Sequence, residues 1–263
     1  MSKVAIVTGG SSGIGLCTVL ALRSAGCQVY ELSRRDVDIP GVTHVRTDVS
    51  DEEQVRSAVR FVHEQESRID ILVNNAGFGI SGAAEFTANE EAKSLLEVNL
   101  FGTVNATKAV APFMRDAGSG RIVNISSFAA LTPIPFQSWY SVSKAAINAY
   151  TMALANELSP FGVTVCAVMP GDTKTAFTES RRKSAIGDDI YSGRVGRSVG
   201  RMERDETNGM APEGAAKFIC RVALKKSVKP FYTIGMQYKF FALLVRILPS
   251  SAAKRIVGLM YSR

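Results

Sequence analysis

Prolines are few, nine in 263 residues, and cysteines fewer still at four. No apolar run approaches the roughly 18 residues that a bilayer span requires. With 22 Gly, 46% hydrophobic and 21% charged residues, the composition excludes collagen-like, disordered and disulfide-scaffold chains and permits one large α/β domain. Cys17, Cys27, Cys166 and Cys220 lie far apart in apolar surroundings without C-x-x-C spacing, so free buried thiols are expected and no metal site. A strand pattern begins at Lys3 with no leader-like segment ahead of it, and a cytoplasmic protein is expected. Acidic residues are missing from one long stretch. Gly214–Arg263 holds ten Lys or Arg and no Asp or Glu, which leaves 21 basic against 24 acidic residues elsewhere. The net charge of +7 therefore belongs to the tail, which lacks a nucleic-acid reading motif, so no nucleic-acid partner is expected.

What is present is an alternation of short β-branched runs with longer helical patterns, the signature of βαβ units feeding a parallel sheet. Strands are predicted over Lys3–Thr8, Gln28–Ser33, Thr43–Thr47, Asp70–Asn74, Arg121–Ser126, Thr164–Met169 and Pro230–Ile234. Helices are predicted over Gly13–Ala25, Asp51–Ser67, Asn89–Ala117, Ser138–Ser159 and Pro212–Lys225, with Thr87 and Glu90 as a capping box for the third. The link between the second and third strands has no room for an ordinary crossover helix, and Asp36–Gly41 reads as a tight loop. Thr175–Met210 breaks the alternation with Gly, Ser and mixed charge, and is expected to be a mobile flap over a site. No repeat, low-complexity segment or linker divides the chain.

The first strand runs into Thr8-Gly9-Gly10-Ser11-Ser12-Gly13-Ile14-Gly15 and then a helix, a context in which backbone N–H groups can approach a pyrophosphate. After the second strand, Ser33-Arg34-Arg35 stands where a carboxylate would bind the ribose 2′-hydroxyl of NAD. A guanidinium there binds a 2′-phosphate that a carboxylate would repel, so NADP(H) is the expected cofactor. The fourth helix opens with Tyr140-Ser141-Val142-Ser143-Lys144, and a separation of four puts phenol and ammonium on one face. A free phenol has a pKa of about 10, and a neighbouring cation favours phenolate, which suits acid/base work.

Thr8, Gly9, Gly13 and Gly15, Asp48-Val49, Asn74-Asn75-Ala76-Gly77, Asn99, Ser126-Ser127, Tyr140 with Lys144, and Pro170-Gly171 together resemble the ordered motifs of the short-chain dehydrogenase/reductase family over about Lys3 to Thr175. The resemblance implies a single-domain Rossmann fold, a doubly wound parallel sheet of about seven strands with helices on both faces, and a catalytic set of Asn99, Ser127, Tyr140 and Lys144. In that set Tyr140 is the general acid in reduction, and Ser127 hydrogen-bonds the substrate oxygen while Ser126 is its structural neighbour. Lys144 lowers the Tyr140 pKa and binds nicotinamide-ribose hydroxyls, and Asn99 holds a water that links Lys144 to solvent. Cofactor contacts are implied for Thr8, Gly9, Ser11, Ser12, Gly13, Ile14 and Gly15, for Ser33, Arg34 and Arg35, and for Asp48 and Val49 at adenine. They are implied also for Asn75, Ala76 and Gly77 under the ribose, for Tyr140 and Lys144, and for Pro170, Gly171, Thr173 and Thr175 at the carboxamide. Thr173 departs from the family's usual apolar residue. The two longest helices correspond to the family's subunit contacts, which implies a homodimer or homotetramer.

Phe78, Phe128, Pro133, Ile134, Pro135, Phe136 and Trp139 flank the motifs on the expected substrate side and favour a hydrophobic carbonyl or alcohol. Arg181-Arg182-Lys183 in the flap reads as a solvated charge run. In the extension from about residue 236 to 263, Tyr238–Leu248 is densely apolar and flanked by Lys239, Arg246, Lys254 and Arg255. It is too short to span a bilayer, and either packs over the pocket or a subunit partner, or lies on an anionic membrane. Similar tails accompany family members that act on steroids, retinoids or acyl lipids, so a lipophilic ketone or secondary alcohol is the expected substrate. A 3-oxoacyl thioester reductase is the alternative enzyme, and a non-catalytic NADP(H)-binding sensor or scaffold the alternative of another class.

Overall fold

The computed structural model describes residues 2–261, so Met1 and the last two residues of the expected tail, Ser262 and Arg263, lie outside the described residues. In chain order the elements are β1 (Val4–Thr8), α1 (Gly13–Ser24), β2 (Gln28–Ser33), β3 (Thr43–Arg46), α2 (Glu52–Glu66), β4 (Ile71–Asn74) and β5 (Ile80–Ser81). They continue with α3 (Asn89–Leu96), α4 (Gly102–Asp116), β6 (Gly120–Ile125), α5 (Ser138–Leu158), β7 (Val163–Met169), α6 (Phe177–Ser180), β8 (Arg182–Lys183) and α7 (Arg194–Thr207). The chain closes with α8 (Pro212–Leu224), β9 (Phe231–Thr233), α9 (Met236–Ile247) and α10 (Ser250–Tyr261).

Seven strands form one sheet in the order β3-β2-β1-β4-β6-β7-β9, every neighbouring pair parallel. Its central strand β1 shows no alternation, all five residues being buried, because both faces are covered there. Val4, Ile6, Leu72, Ile122 and Val163 face α2, α4 and α5 on one side, whereas Ala5, Val7, Ile71, Val123 and Cys166 face α1 and α8 on the other. Strand order reverses between β1 and β4, so the crevice at the carboxyl ends of these strands is where a doubly wound sheet binds ligands. The sheet and its two helical layers match the expected Rossmann architecture, and the helix-free link from β2 to β3 is as short as expected.

Three sequence expectations are corrected. Asn89–Ala117 is not one regular helix, because Glu97–Phe101 forms a π turn between α3 and α4. Thr87 does not cap α3, which starts after Ala88 without a side-chain cap; a 3-10 turn over Ala84–Phe86 precedes it, and the Thr87 hydroxyl donates back to the Ala83 carbonyl at 3.1 Å. Arg181 is not solvated, since its side chain is fully buried and paired with Glu206 of α7. The flap carries structure of its own, with α7 as its main element and β8 pairing with β5 in a second, two-stranded sheet.

Candidate active site

The crevice at the strand ends opens into a cavity of about 1160 Å³. Every expected site residue lines it except Thr8 and Asn99. Thr8 is buried beneath the turn, where its Oγ1 accepts from the Asn75 and Ala76 N–H groups at 3.0 and 3.2 Å. Asn75 donates to the Thr8 and Gly9 carbonyls, so these two side chains tie β1 to β4.

The Gly-rich turn presents backbone to the cavity because side chains do not fit. Gly9 has φ of 66°, and a Cβ on Gly15 would lie 2.2 Å from the Gly9 carbonyl oxygen. Arg35 donates to Ser11 Oγ and Ser12 Oγ at 3.1 and 2.8 Å, which folds it over the turn. Arg34 extends past β2 with 70% of its side chain exposed, 3.8 Å from Asp48. Glu31, the nearest carboxylate in β2, is fully buried against His44 and does not reach the crevice.

Ser127, Tyr140 and Lys144 converge at the other end. Ser127 follows β6 and its Oγ accepts from the Ala129 N–H at 3.1 Å, whereas Ser126 turns inward and donates to the Lys144 carbonyl at 3.1 Å. Lys144 is buried, its Nζ 5.6 Å from the Tyr140 ring centre and donating to the Ile125 carbonyl at 2.9 Å. Burial brings the ammonium down to about 8. Tyr140 opens onto the cavity rather than bulk solvent, and desolvation pushes its hydroxyl up to about 12 against the opposing bond from Ser127. The expected lowering of the Tyr140 pKa by Lys144 is therefore not the dominant effect here, because the ammonium is turned to the β6 carbonyl.

Asn99 sits in the π turn and is wholly buried. Its Oδ1 accepts from the Phe78 N–H at 2.9 Å, and its Nδ2 donates to the Phe78 carbonyl at 3.0 Å and to Ser143 Oγ at 3.2 Å. A Cβ on Gly77 would meet Asn99 Oδ1 at 3.0 Å and Lys144 Nζ at 3.8 Å, so that glycine lets the carboxamide and the ammonium share one side of the cavity.

Of the expected substrate-side residues, Phe78, Phe128 and Ile134 line the cavity, whereas Phe136 is buried beside Ala83 and Val195. Pro133, Pro135 and Trp139 lie outside the lining. Asp172, Arg201, Asp205 and Glu206 line the cavity without having been foreseen, and so does Arg182, read from sequence as solvated; Phe241, Leu244 and Leu248 of the apolar tail segment wall it, as the pocket-packing alternative expected, together with Ile256 and Val257 of α10. Tyr238 of α9 packs on Gly171, where a Cβ would meet its ring at 2.1 Å. The Tyr238 hydroxyl donates to the Asp172 carboxylate and accepts from the Asp172 N–H. Burial holds the Asp172 carboxyl above the usual range.

A family model described as short chain dehydrogenase matches residues 3–185. The chain belongs to that family. Among relatives of this short chain dehydrogenase, a 3-ketodihydrosphingosine reductase from Bacteroides thetaiotaomicron is 40% identical over 234 residues, 88% of this chain and 87% of the relative. The crystal structure of a short-chain dehydrogenase from Streptomyces avermitilis superposes with a TM-score of 0.84 at 30% identity, covering 98% of this chain and 96% of that one. A 3-ketoacyl-(acyl-carrier-protein) reductase from Brucella melitensis complexed with NADH does so with a TM-score of 0.75 at 25% identity, covering 88% and 96%. This short chain dehydrogenase is thus an oxidoreductase that takes a nicotinamide cofactor, and the turn over Gly9–Gly15, where a Cβ on Gly9 or Gly15 would strike backbone, fits the pyrophosphate of one.

Proposed function

We propose that this protein is an NADP(H)-dependent oxidoreductase that interconverts a lipophilic ketone and its secondary alcohol, with a long-chain 3-ketone as the leading substrate. The observation that carries this reading is one continuous cavity, basic where Arg34 and Arg35 lie and apolar where α9 and α10 wall it, with Ser127 and Tyr140 between the two ends. The 40% identity to a 3-ketodihydrosphingosine reductase supports the same substrate class.

The cofactor supplies or accepts the hydride when bound. The protein's own part is to hold and to move a proton. Ser127 Oγ and the Tyr140 hydroxyl grip the carbonyl oxygen, and as negative charge develops there the Tyr140 proton passes to it. Lys144, charged below about 8, stabilises the phenolate left behind. Asn99 fixes the Phe78 backbone and, through Ser143, the first turn of α5, which keeps Lys144 and Tyr140 in register. Subunit pairing through α4 and α5 belongs to the same reading and is supported by exposed Phe101, in the π turn that leads into α4, and by exposed Val142 and Met152 of α5.

One observation favours a 3-oxoacyl thioester instead: Arg182 lines the cavity beside exposed Lys183, where the two could meet an acidic carrier. NADPH oxidation by purified protein with 3-ketodihydrosphingosine, a ketosteroid and an acetoacetyl thioester separates the readings. Turnover is expected with the long-chain ketone. Activity confined to the thioester would replace this reading with the alternative, and cofactor binding without turnover on any carbonyl would leave a sensor.

A further inference from the structure

Helix α9 is apolar on two sides. Phe241, Leu244 and Val245 at its inner side, with Leu248 just past its end, line the cavity. Phe240, Leu243 and Ile247 lie outside that lining, 64%, 57% and 72% exposed. Spacings of three and four place these residues along one stripe. An exposed apolar stripe of this kind marks a surface that meets something other than water.

The charge beside the stripe says what that is. Lys225, Lys229, Lys239 and Arg246 converge on a groove of about 460 Å³ that also reaches Leu243, and no carboxylate among the described residues lines it. Lys254 and Arg255 of α10 are exposed as well. No Asp or Glu occurs in the sequence from Gly214 onward, so neither α9 nor α10 brings a carboxylate of its own to this surface.

We propose that the outer face of α9, with the basic groove beside it, is a docking surface for an anionic lipid bilayer. An amphipathic helix lying in the membrane interface buries an apolar face while its flanking cations meet anionic headgroups, and this helix has both parts. No helix among the described residues is long and apolar enough to cross a membrane, so the contact is peripheral. A second copy of this chain fits the surface less well, because a two-fold contact would set basic groove against basic groove. Nucleic acid would use the cations and leave the three apolar side chains in water. Docked this way, α9 lies between the bilayer and the cavity, and a lipophilic ketone can pass from one to the other beside it. That consequence rests on the proposed substrate class, whereas the docking surface does not.

The test is co-sedimentation of the full chain with vesicles of phosphatidylcholine alone and of phosphatidylcholine mixed with phosphatidylglycerol. Binding is expected only to the mixed vesicles, and it should weaken as NaCl is raised. Two paired variants, Phe240→Gln with Ile247→Gln and Lys239→Gln with Arg246→Gln, should each lower the apparent affinity about tenfold or more while the melting temperature is unchanged. Failure of the wild-type chain to bind mixed vesicles overturns the proposal, and so does equal binding by the variants. Light scattering that shows a dimer split by the Phe240 and Ile247 pair would assign the stripe to a second copy. Vesicle binding without turnover of 3-ketodihydrosphingosine would sink the substrate reading and leave the surface standing.

Discussion

Tyr140 and Lys144 are four residues apart in sequence and belong to one helical face, but their environments push them in opposite directions: the phenol up to about 12, the ammonium down to about 8. Both shifts favour the neutral form. Between these values Tyr140 keeps its proton while Lys144 loses its charge, so kcat/KM for carbonyl reduction, which reports the free enzyme, should fall as pH rises through about 8. A pH–rate profile that stays flat there would contradict this coupling. Tyr140→Phe removes the proton donor without emptying the cavity. Turnover should drop by about two to four orders of magnitude while NADPH affinity, read by nicotinamide fluorescence, stays near wild type. At the far end, Arg34→Ala should weaken NADPH binding about tenfold to a hundredfold, through loss of a charge-assisted bond to the 2′-phosphate, and leave NADH binding unchanged. Equal loss for both cofactors would mean that Arg34 only steadies the loop.

The elements that hold these residues were legible to different degrees. The β1 turn and the start of α5 could be read from spacing, because Gly9 and Gly15 are demanded by backbone crowding and Tyr140–Lys144 by helical period. The π turn at Glu97–Phe101 could not, since it arises from tertiary demand: Asn99 must reach the Phe78 backbone and Ser143 together. The burial of Arg181 was hidden for the same reason, its Glu206 partner lying 25 residues on in α7. Nor does sequence pattern give the inner face of α9, whose apolar residues run around the helix rather than along one side. Tyr238 is the device that seats α9. Tyr238→Phe removes both hydrogen bonds to Asp172, one of them to a buried carboxylate, and should cost about 1–3 kcal/mol of that contact. Limited proteolysis should then cut α9–α10 faster, and KM for a long-chain ketone should rise while kcat with a small ketone holds. Unchanged proteolysis would mean that the helix is seated by its apolar contacts alone.

At the scale of the whole molecule, neither main core contains a residue beyond Ile234 among the described residues. A chain ending at Gly235 should therefore melt within about 5 °C of the full protein and still bind NADPH, while its turnover of a long-chain ketone collapses. A large drop in melting temperature would show that α9 and α10 belong to the fold rather than to the site. The same core makes α1, which opens with the cofactor turn, pack on α8, nearly 200 residues further along. During synthesis Val19 and Leu22 leave the ribosome long before Ala215 and Ile219 exist to cover them. The nascent chain must therefore carry an uncovered sheet face until α8 emerges, so a shortened message that stops before Pro212 yields an aggregation-prone fragment rather than a smaller enzyme.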